Sequence, residues 1–227
     1  MTSRVGLGLT GPSRQSRDRL GGMTAGAPSA PPTFVTPPSW ARAQRVHLDE
    51  LLLEQAHLEK KAAAGAVAFL FRLPVEPRLH RQLSALAREE LVHFERTLKL
   101  LQERGVAFEA QASSGYAEQL KKGVRRQHRD RLVDELLVAA LIERRSHERM
   151  TLLSEFACGD APEVARFYAE LCPAEERHES LYLDLATLVL DADAIQQRYL
   201  ELSEHEAGVL RGLPFAPRLH SGLPGEE

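Results

Sequence analysis

The chain has 227 residues, 43% of them hydrophobic and 27% charged, with a net charge of −3; this supplies one buried core and excludes a surface that attracts nucleic acid everywhere. Its two cysteines, Cys158 and Cys172, are too few for a disulfide framework and lack C-x-x-C spacing, so a reducing cytoplasm is the expected location. No apolar run is long enough to span a bilayer, and the amino terminus lacks the apolar segment of a signal peptide.

Residues 1–44 are rich in Gly, Pro, Ser, Thr and Arg, with Ala27-Pro28-Ser29-Ala30-Pro31-Pro32 and Thr36-Pro37-Pro38-Ser39 among them. Such a segment buries little apolar surface to offset its ordering entropy, which predicts a disordered tail. Trp40, the single tryptophan, is placed to pin the end of that tail onto the folded part. A helical domain is expected over residues 45–212.

From Val46 to Leu73 the positions Leu52, Gln55, Glu59, Ala62, Ala66 and Phe69 recur at threes and fours, and Pro74 and Pro77 end the pattern. Around Glu59 the run Ala62, Ala63, Ala64, Gly65, Ala66 is unusually small. It fits close helix packing, or room for an apolar substrate group. A second helix is predicted from Arg78 to Arg104, with Leu79, Leu83, Leu86, Glu90, His93 and Leu100 on one face and Gly105 as its C-cap. The short connection makes these two helices antiparallel neighbours.

Residues 105–128 form a longer crossing, with a short helix at Tyr116–Leu120 followed by Lys121, Lys122, Arg125, Arg126, His128, Arg129 and Arg131. This densest basic cluster is either a solvated surface or a patch that contacts RNA phosphates. The third helix runs from Arg129 to Ala157 with an inner stripe of Leu132, Leu136, Ala139, Glu143, Ser146 or His147, and Met150. Pro162 opens the fourth, whose stripe is Phe167, Leu171, Glu175, His178, Tyr182 and Leu185, with a kink expected at Pro173. Asp191 or Asp193 caps a fifth helix reaching Leu210, and residues 213–227 read as an irregular tail in which Arg218 and His220 either line a site mouth or are free.

Two of these helices carry a glutamate three residues before a histidine, Glu90/His93 and Glu175/His178. On a helix that spacing stacks both side chains on one face, within reach of one metal ion. A lone glutamate stands upstream of each pair: Glu59 by 31 residues from Glu90, and Glu143 by 32 from Glu175. Two antiparallel helices with a short loop bring such positions to the same height. Glu148 competes with Glu143 but breaks the match, and a third pair, Glu54/His57, has no such partner and reads as coincidence. The expected fold is therefore all-α, a ferritin-like four-helix bundle of two antiparallel hairpins with an additional C-terminal helix. Six carboxylate and imidazole donors without thiolates suit iron or manganese better than zinc.

The segments Leu58-Glu59-Lys60-Lys61-Ala62-Ala63, Leu86-Ala87-Arg88-Glu89-Glu90-Leu91-Val92-His93-Phe94, Ile142-Glu143-Arg144-Arg145-Ser146-His147-Glu148-Arg149, and Phe167-Tyr168 followed by Glu175-Glu176-Arg177-His178 together resemble the tRNA 2-methylthio-isopentenyl-adenosine hydroxylase family, from about Leu48 to Gly222. The resemblance implies a non-haem di-iron monooxygenase with two iron ions held by Glu59, Glu90, His93, Glu143, Glu175 and His178. It would use O2 and an external electron donor of ferredoxin or flavoprotein type to hydroxylate the isopentenyl group beside the anticodon. It implies tRNA as partner, with Lys121, Lys122, Arg125, Arg126 and Arg129 as the candidate RNA contacts, a cytoplasmic location and no membrane; the oligomeric state is left open, with a monomer favoured. The rivals are a ferritin- or rubrerythrin-like iron-oxidising or storage protein, and a metal-free helical protein whose charges simply pair.

Overall fold

The computed structural model describes residues 33–225. Of the tail expected to be disordered, residues 1–32 lie outside the described residues. Residues 33–44 correct that expectation, because Pro38–Gln44 form a helix, α1, with Pro38 in its first turn and Trp40, Ala41 and Gln44 buried. Composition missed this because one tryptophan supplies the anchoring area that the prolines around it do not.

A 3₁₀ turn at Arg45–His47 leads into α2 (Leu48–Leu70), which is followed by α3 (Pro77–Glu103), the short α4 (Tyr116–Lys121), α5 (His128–Phe156), α6 (Pro162–Thr187) and α7 (Ala192–Gly212). Among the described residues there is no strand, and no helix is long and apolar enough to cross a membrane. Caps fall where the local chemistry puts them. The Glu76 side chain accepts from the Leu79 amide at 3.0 Å at the start of α3, and Asp191 accepts from Ala194 at 2.9 Å at the start of α7. Gly105, at φ +71°, ends α3 in the left-handed region while Val106 bonds back to Leu101. α6 stays helical on both sides of Pro173.

The four long helices make the ferritin-like bundle. Close backbone approach is concentrated within each hairpin, α2 against α3 and α5 against α6, so the hairpins meet chiefly through side chains. The apolar interior is in two parts. One cluster holds Ala66, Phe69, Leu83, Leu86, Leu136, Leu141 and Tyr182; the other holds Leu51, Leu52, Leu100, Met150, Phe167 and Leu171. Between them each helix carries polar residues inward: Glu59 on α2, Glu90 and His93 on α3, Glu143 on α5, Glu175 and His178 on α6. Burying these groups in mid-core without partners would cost more than either apolar cluster tolerates, so the belt is the place to look for chemistry.

The ends of the described chain close over one another. Trp40 Nε1 donates to Ser221 Oγ at 3.0 Å, and Gln44 Nε2 donates to the Ala216 carbonyl at 2.8 Å. Arg149, fully buried under the Trp40 ring at 4.5 Å, donates to the Leu219 and Ser221 carbonyls. Residues after Leu213 are irregular as expected, but Leu219, His220 and Ser221 are buried in the bundle wall.

Candidate metal centre and substrate cavity

The structure brings together all six residues selected by spacing. Donor atoms of Glu59, Glu90, His93 and Glu175 all lie within 4.8 Å of one another, and so do those of Glu90, Glu143 and His178. Glu90 is common to both groups and stands between the two histidines, with His93 Nδ1 at 3.6 Å from one of its oxygens and His178 Nδ1 at 2.7 Å from the other. Glu148 is turned elsewhere, accepting from the Thr36 amide and hydroxyl and from Arg145, and lies outside both donor groups, whereas Glu143 lies in one of them.

Both oxygens of Glu90 and Nδ1 of both histidines are buried with no aligned hydrogen-bond partner. Orphaned donor atoms converging on one point fit a cation, which would take those lone pairs and offset the carboxylate charge. The electrostatics agree. Burial, then the nearby Glu90 charge, pushes Glu143 up to about 7 and raises Glu59 well above the usual carboxylate range. Burial, then Glu143 and Glu59, does the same to Glu175. Burial also acts upward on Glu90, but the approach of His178 and His93 outweighs it and holds Glu90 at about 2. Against the pull of its own burial, His178 is lifted to about 9 by Glu90, Glu143 and Glu89.

Two neighbours escaped sequence reasoning. Glu89 Oε2 lies 3.1 Å from His178 Nε2, fixing the ring so that Nδ1 faces the cluster, and Gln55 Nε2 donates to Glu59 Oε1 at 2.7 Å. For Glu89 the contact spans 89 positions and has no local signature. Gln55 lies one turn before Glu59 on the inner stripe, which was the only available signal.

A cavity of about 470 Å³ runs to the cluster, lined by Glu59, Glu90, Glu143 and Glu175 at its floor and by Ala62, Gly65, Val138, Ala139 and Ile142 along its sides. The small run after Glu59 therefore serves both expected uses: Ala63 and Ala66 are buried against the core, while Ala62 and Gly65 face the open space. A Cβ built on Gly65 would meet nothing within 4 Å. A mid-helix glycine costs roughly 1 kcal/mol relative to alanine, so filling this position should stabilise the fold while obstructing the cavity. Gly65→Leu is expected to raise the melting temperature by about 2–4 °C and to lower substrate turnover about tenfold or more with bound metal unchanged. Thermal melts, metal analysis and steady-state kinetics on the same preparation check all three.

The basic cluster divides. Lys121 is exposed and lines the cavity, and Lys122 and Arg126 are exposed beside it. Arg129 is exposed and donates to the Val189 carbonyl. Arg125 is different: its backbone N–H and its guanidinium both bind the fully buried Asp134, which also takes Arg198. That residue is committed to holding α5 and α7, and it is a correction to the RNA-contact set, because a guanidinium bonded to a buried carboxylate is not free for phosphate.

Comparison with known proteins accords with this geometry. A solved structure described as protein 43 with aldehyde deformylating oxygenase activity from Synechococcus superposes with a TM-score of 0.79 at 39% identity, covering 84% of this chain and 96% of that one. Two relatives carry the name tRNA 2-(methylsulfanyl)-N(6)-isopentenyladenosine(37) hydroxylase. That of Pseudomonas putida is 34% identical over 83% of this chain and 91% of its own, and that of Salmonella typhimurium 31% identical over 77% and 74%. The model of one family, tRNA-(MS[2]IO[6]A)-hydroxylase (MiaE), matches residues 33–221, from the segment just before α1 to the buried Ser221. With the six-donor belt, the cavity above it and the clasped ends all inside that span, the chain belongs to the MiaE family of tRNA hydroxylases.

Proposed function

We propose that this protein is an O2-dependent di-iron hydroxylase of tRNA, acting on the isopentenyl group of 2-methylthio-isopentenyl-adenosine next to the anticodon. The single observation that carries the chemistry is the convergence of Glu59, Glu90, His93, Glu143, Glu175 and His178, with orphaned Nδ1 atoms, in a cluster whose four carboxylates line a largely apolar cavity. These six would hold two iron ions. When bound, the metal pair would supply the reduction of O2 and the oxidising power needed at an allylic C–H bond of the isopentenyl group.

The chain's own residues do the rest. Ala62, Gly65, Val138, Ala139 and Ile142 give a dry sleeve for a branched five-carbon chain, excluding water that would divert the oxidant. Lys121 at the cavity rim, with Lys122, Arg126 and Arg129 near it, presents positive charge to the phosphates flanking a splayed-out nucleoside. Glu89 and Gln55 hold His178 and Glu59 in register. In this reading electrons come from an external ferredoxin or flavoprotein donor, and the protein works in the cytoplasm.

Nucleoside mass spectrometry of tRNA from cells with and without the gene tests the reading. Loss of the hydroxylated nucleoside with accumulation of its unhydroxylated precursor is expected. An unchanged nucleoside profile overturns the tRNA assignment. The description of the solved Synechococcus structure suggests a competing substrate class, so the purified iron-loaded protein is also offered an aldehyde: deformylation in place of tRNA hydroxylation would move the assignment to that activity.

A further inference from the structure

The third Glu-x-x-His pair, Glu54/His57, does not behave as a ligand pair. His57 turns to the Glu109 carbonyl at 2.7 Å, whereas Glu54 is buried and lines the same cavity as the carboxylate cluster. Glu54 sits on α2 about 7.5 Å of helix rise before Glu59, outside both donor groups. Its Oε2 accepts from the Leu219 amide of the buried C-terminal segment, and the nearest cation to Oε1 is Arg218 Nε at 3.8 Å. A buried carboxyl on a cavity-lining residue, anchored through one oxygen and holding only a long contact to Arg218 through the other, is placed to hold and release a proton.

We propose that Glu54 is the proton donor to the oxygen chemistry in the cavity, the acid that keeps O2 reduction coupled to hydroxylation. The proposal rests on the hydroxylase reading above. In R–H + O2 + 2 e⁻ + 2 H⁺ → R–OH + H2O, one C–H bond and the O–O bond break, and one C–O bond and three O–H bonds form, one in the alcohol and two in water. The external donor supplies both electrons, and the second oxygen leaves as water carrying two protons. Glu54 gives up its O–H proton on that side of the reaction and is reprotonated from solvent through the cavity. An acid at this point matters because O2 reduced without a timely proton at the departing oxygen escapes as hydrogen peroxide.

The surroundings keep the acid protonated near neutrality. Burial raises Glu54 from the ordinary carboxylate range to about 7, against the lowering effect of the Leu219 amide, Arg218, Lys61 and Arg149. From α6 the Tyr168 phenol faces it, buried without a hydrogen-bond partner and itself raised by burial and by the charges of Glu54 and Glu59. Thus α2, α5, α6 and the C-terminal segment contribute Lys61, Arg149, Tyr168 and Arg218 respectively; the other raised carboxyls of the cavity, Glu59, Glu143 and Glu175, belong to the donor groups and would be taken by metal.

The test is Glu54→Gln, whose amide oxygen still accepts from Leu219 but carries no transferable proton. With full iron and unchanged helical circular dichroism, product formed per O2 should fall to about half or less, with hydrogen peroxide making up the balance, and kcat should fall about tenfold or more. Wild-type coupling should decline above pH about 7, and that decline should vanish in the variant. A second readout needs neither substrate nor metal. In iron-free protein the melting temperature of Glu54→Gln relative to wild type should rise as pH goes from 5 to 8, because only the wild type must ionise a buried carboxyl. Wild-type coupling and pH profile in the variant, or a melting difference constant with pH, overturns the proposal. Should the variant fail to fold, a wild-type product-to-O2 ratio constant between pH 6 and 9 overturns it instead. If the wild type hydroxylates no tRNA, the substrate reading fails on its own, and peroxide yield and the melting series still judge Glu54.

Discussion

Glu90→Ala is expected to reduce bound iron from about two ions per chain to less than one and to lower hydroxylation about a thousandfold or more. The reason is its position. Every other candidate ligand belongs to one donor group, whereas Glu90 belongs to both and lies within 3.6 Å of His93 Nδ1 and 2.7 Å of His178 Nδ1. Removing it takes away the shared carboxylate and leaves His178, normally raised to about 9 chiefly by Glu90, without its main counter-charge. Iron analysis and single-turnover product formation, with circular dichroism as a folding control, make the comparison. Retention of two tightly bound ions would show that Glu90 is not shared, and would remove the pairing of sites on which the chemistry depends.

Iron removal should change how the protein responds to pH. Glu143 is raised from its ordinary value to about 7, and Glu59 and Glu175 shift in the same direction. A group raised in the folded state contributes stability at low pH and loses it as pH climbs through the folded value. His178, raised to about 9, loses its contribution between pH 6.5 and 9, again on the alkaline side. Glu90, depressed to about 2, acts oppositely, but its contribution is lost only below the ordinary carboxylate range. Iron-free protein should therefore be most stable near pH 5 and lose on the order of 3 kcal/mol by pH 8, about 10 °C in melting temperature. Iron reverses the sign, because metal binds the deprotonated ligands and stabilises more as pH rises. Parallel melts of iron-free and anaerobically iron-loaded protein from pH 5 to 8.5 should diverge; parallel curves would mean that the cluster does not hold the metal.

The site was readable from sequence because it is repeated. Glu59 to Glu90 and Glu143 to Glu175 obey one helical arithmetic, and helices and their caps follow local rules that Pro77, Gly105, Pro162 and Asp191 state in the chain. What escaped is non-local. Arg125 looked like surface charge until Asp134 and Arg198 enclosed it, and the Pro-rich stretch around Trp40 looked disordered although Ser221 and Arg149 hold it from across the sequence. Glu54 was set aside because its pattern matched no partner helix, when its role came from a cavity that no spacing describes. Periodicity reports which face a residue occupies; it is silent on which distant segment closes over that face.

The cavity approaches the carboxylates from the α2 and α5 side, through Ala62, Gly65, Val138 and Ile142, with Lys121 at its rim. Both histidines are carried by the other two helices, α3 and α6, where Glu89 lies one hydrogen bond from His178 and Arg177, which donates to Glu89, lies two away at the solvent. Glu89 thereby wires the buried imidazole to the outer face of the bundle: neutralising or reversing the exposed Arg177 guanidinium changes the charge felt by Glu89 and, through it, the basicity of His178, without touching the core.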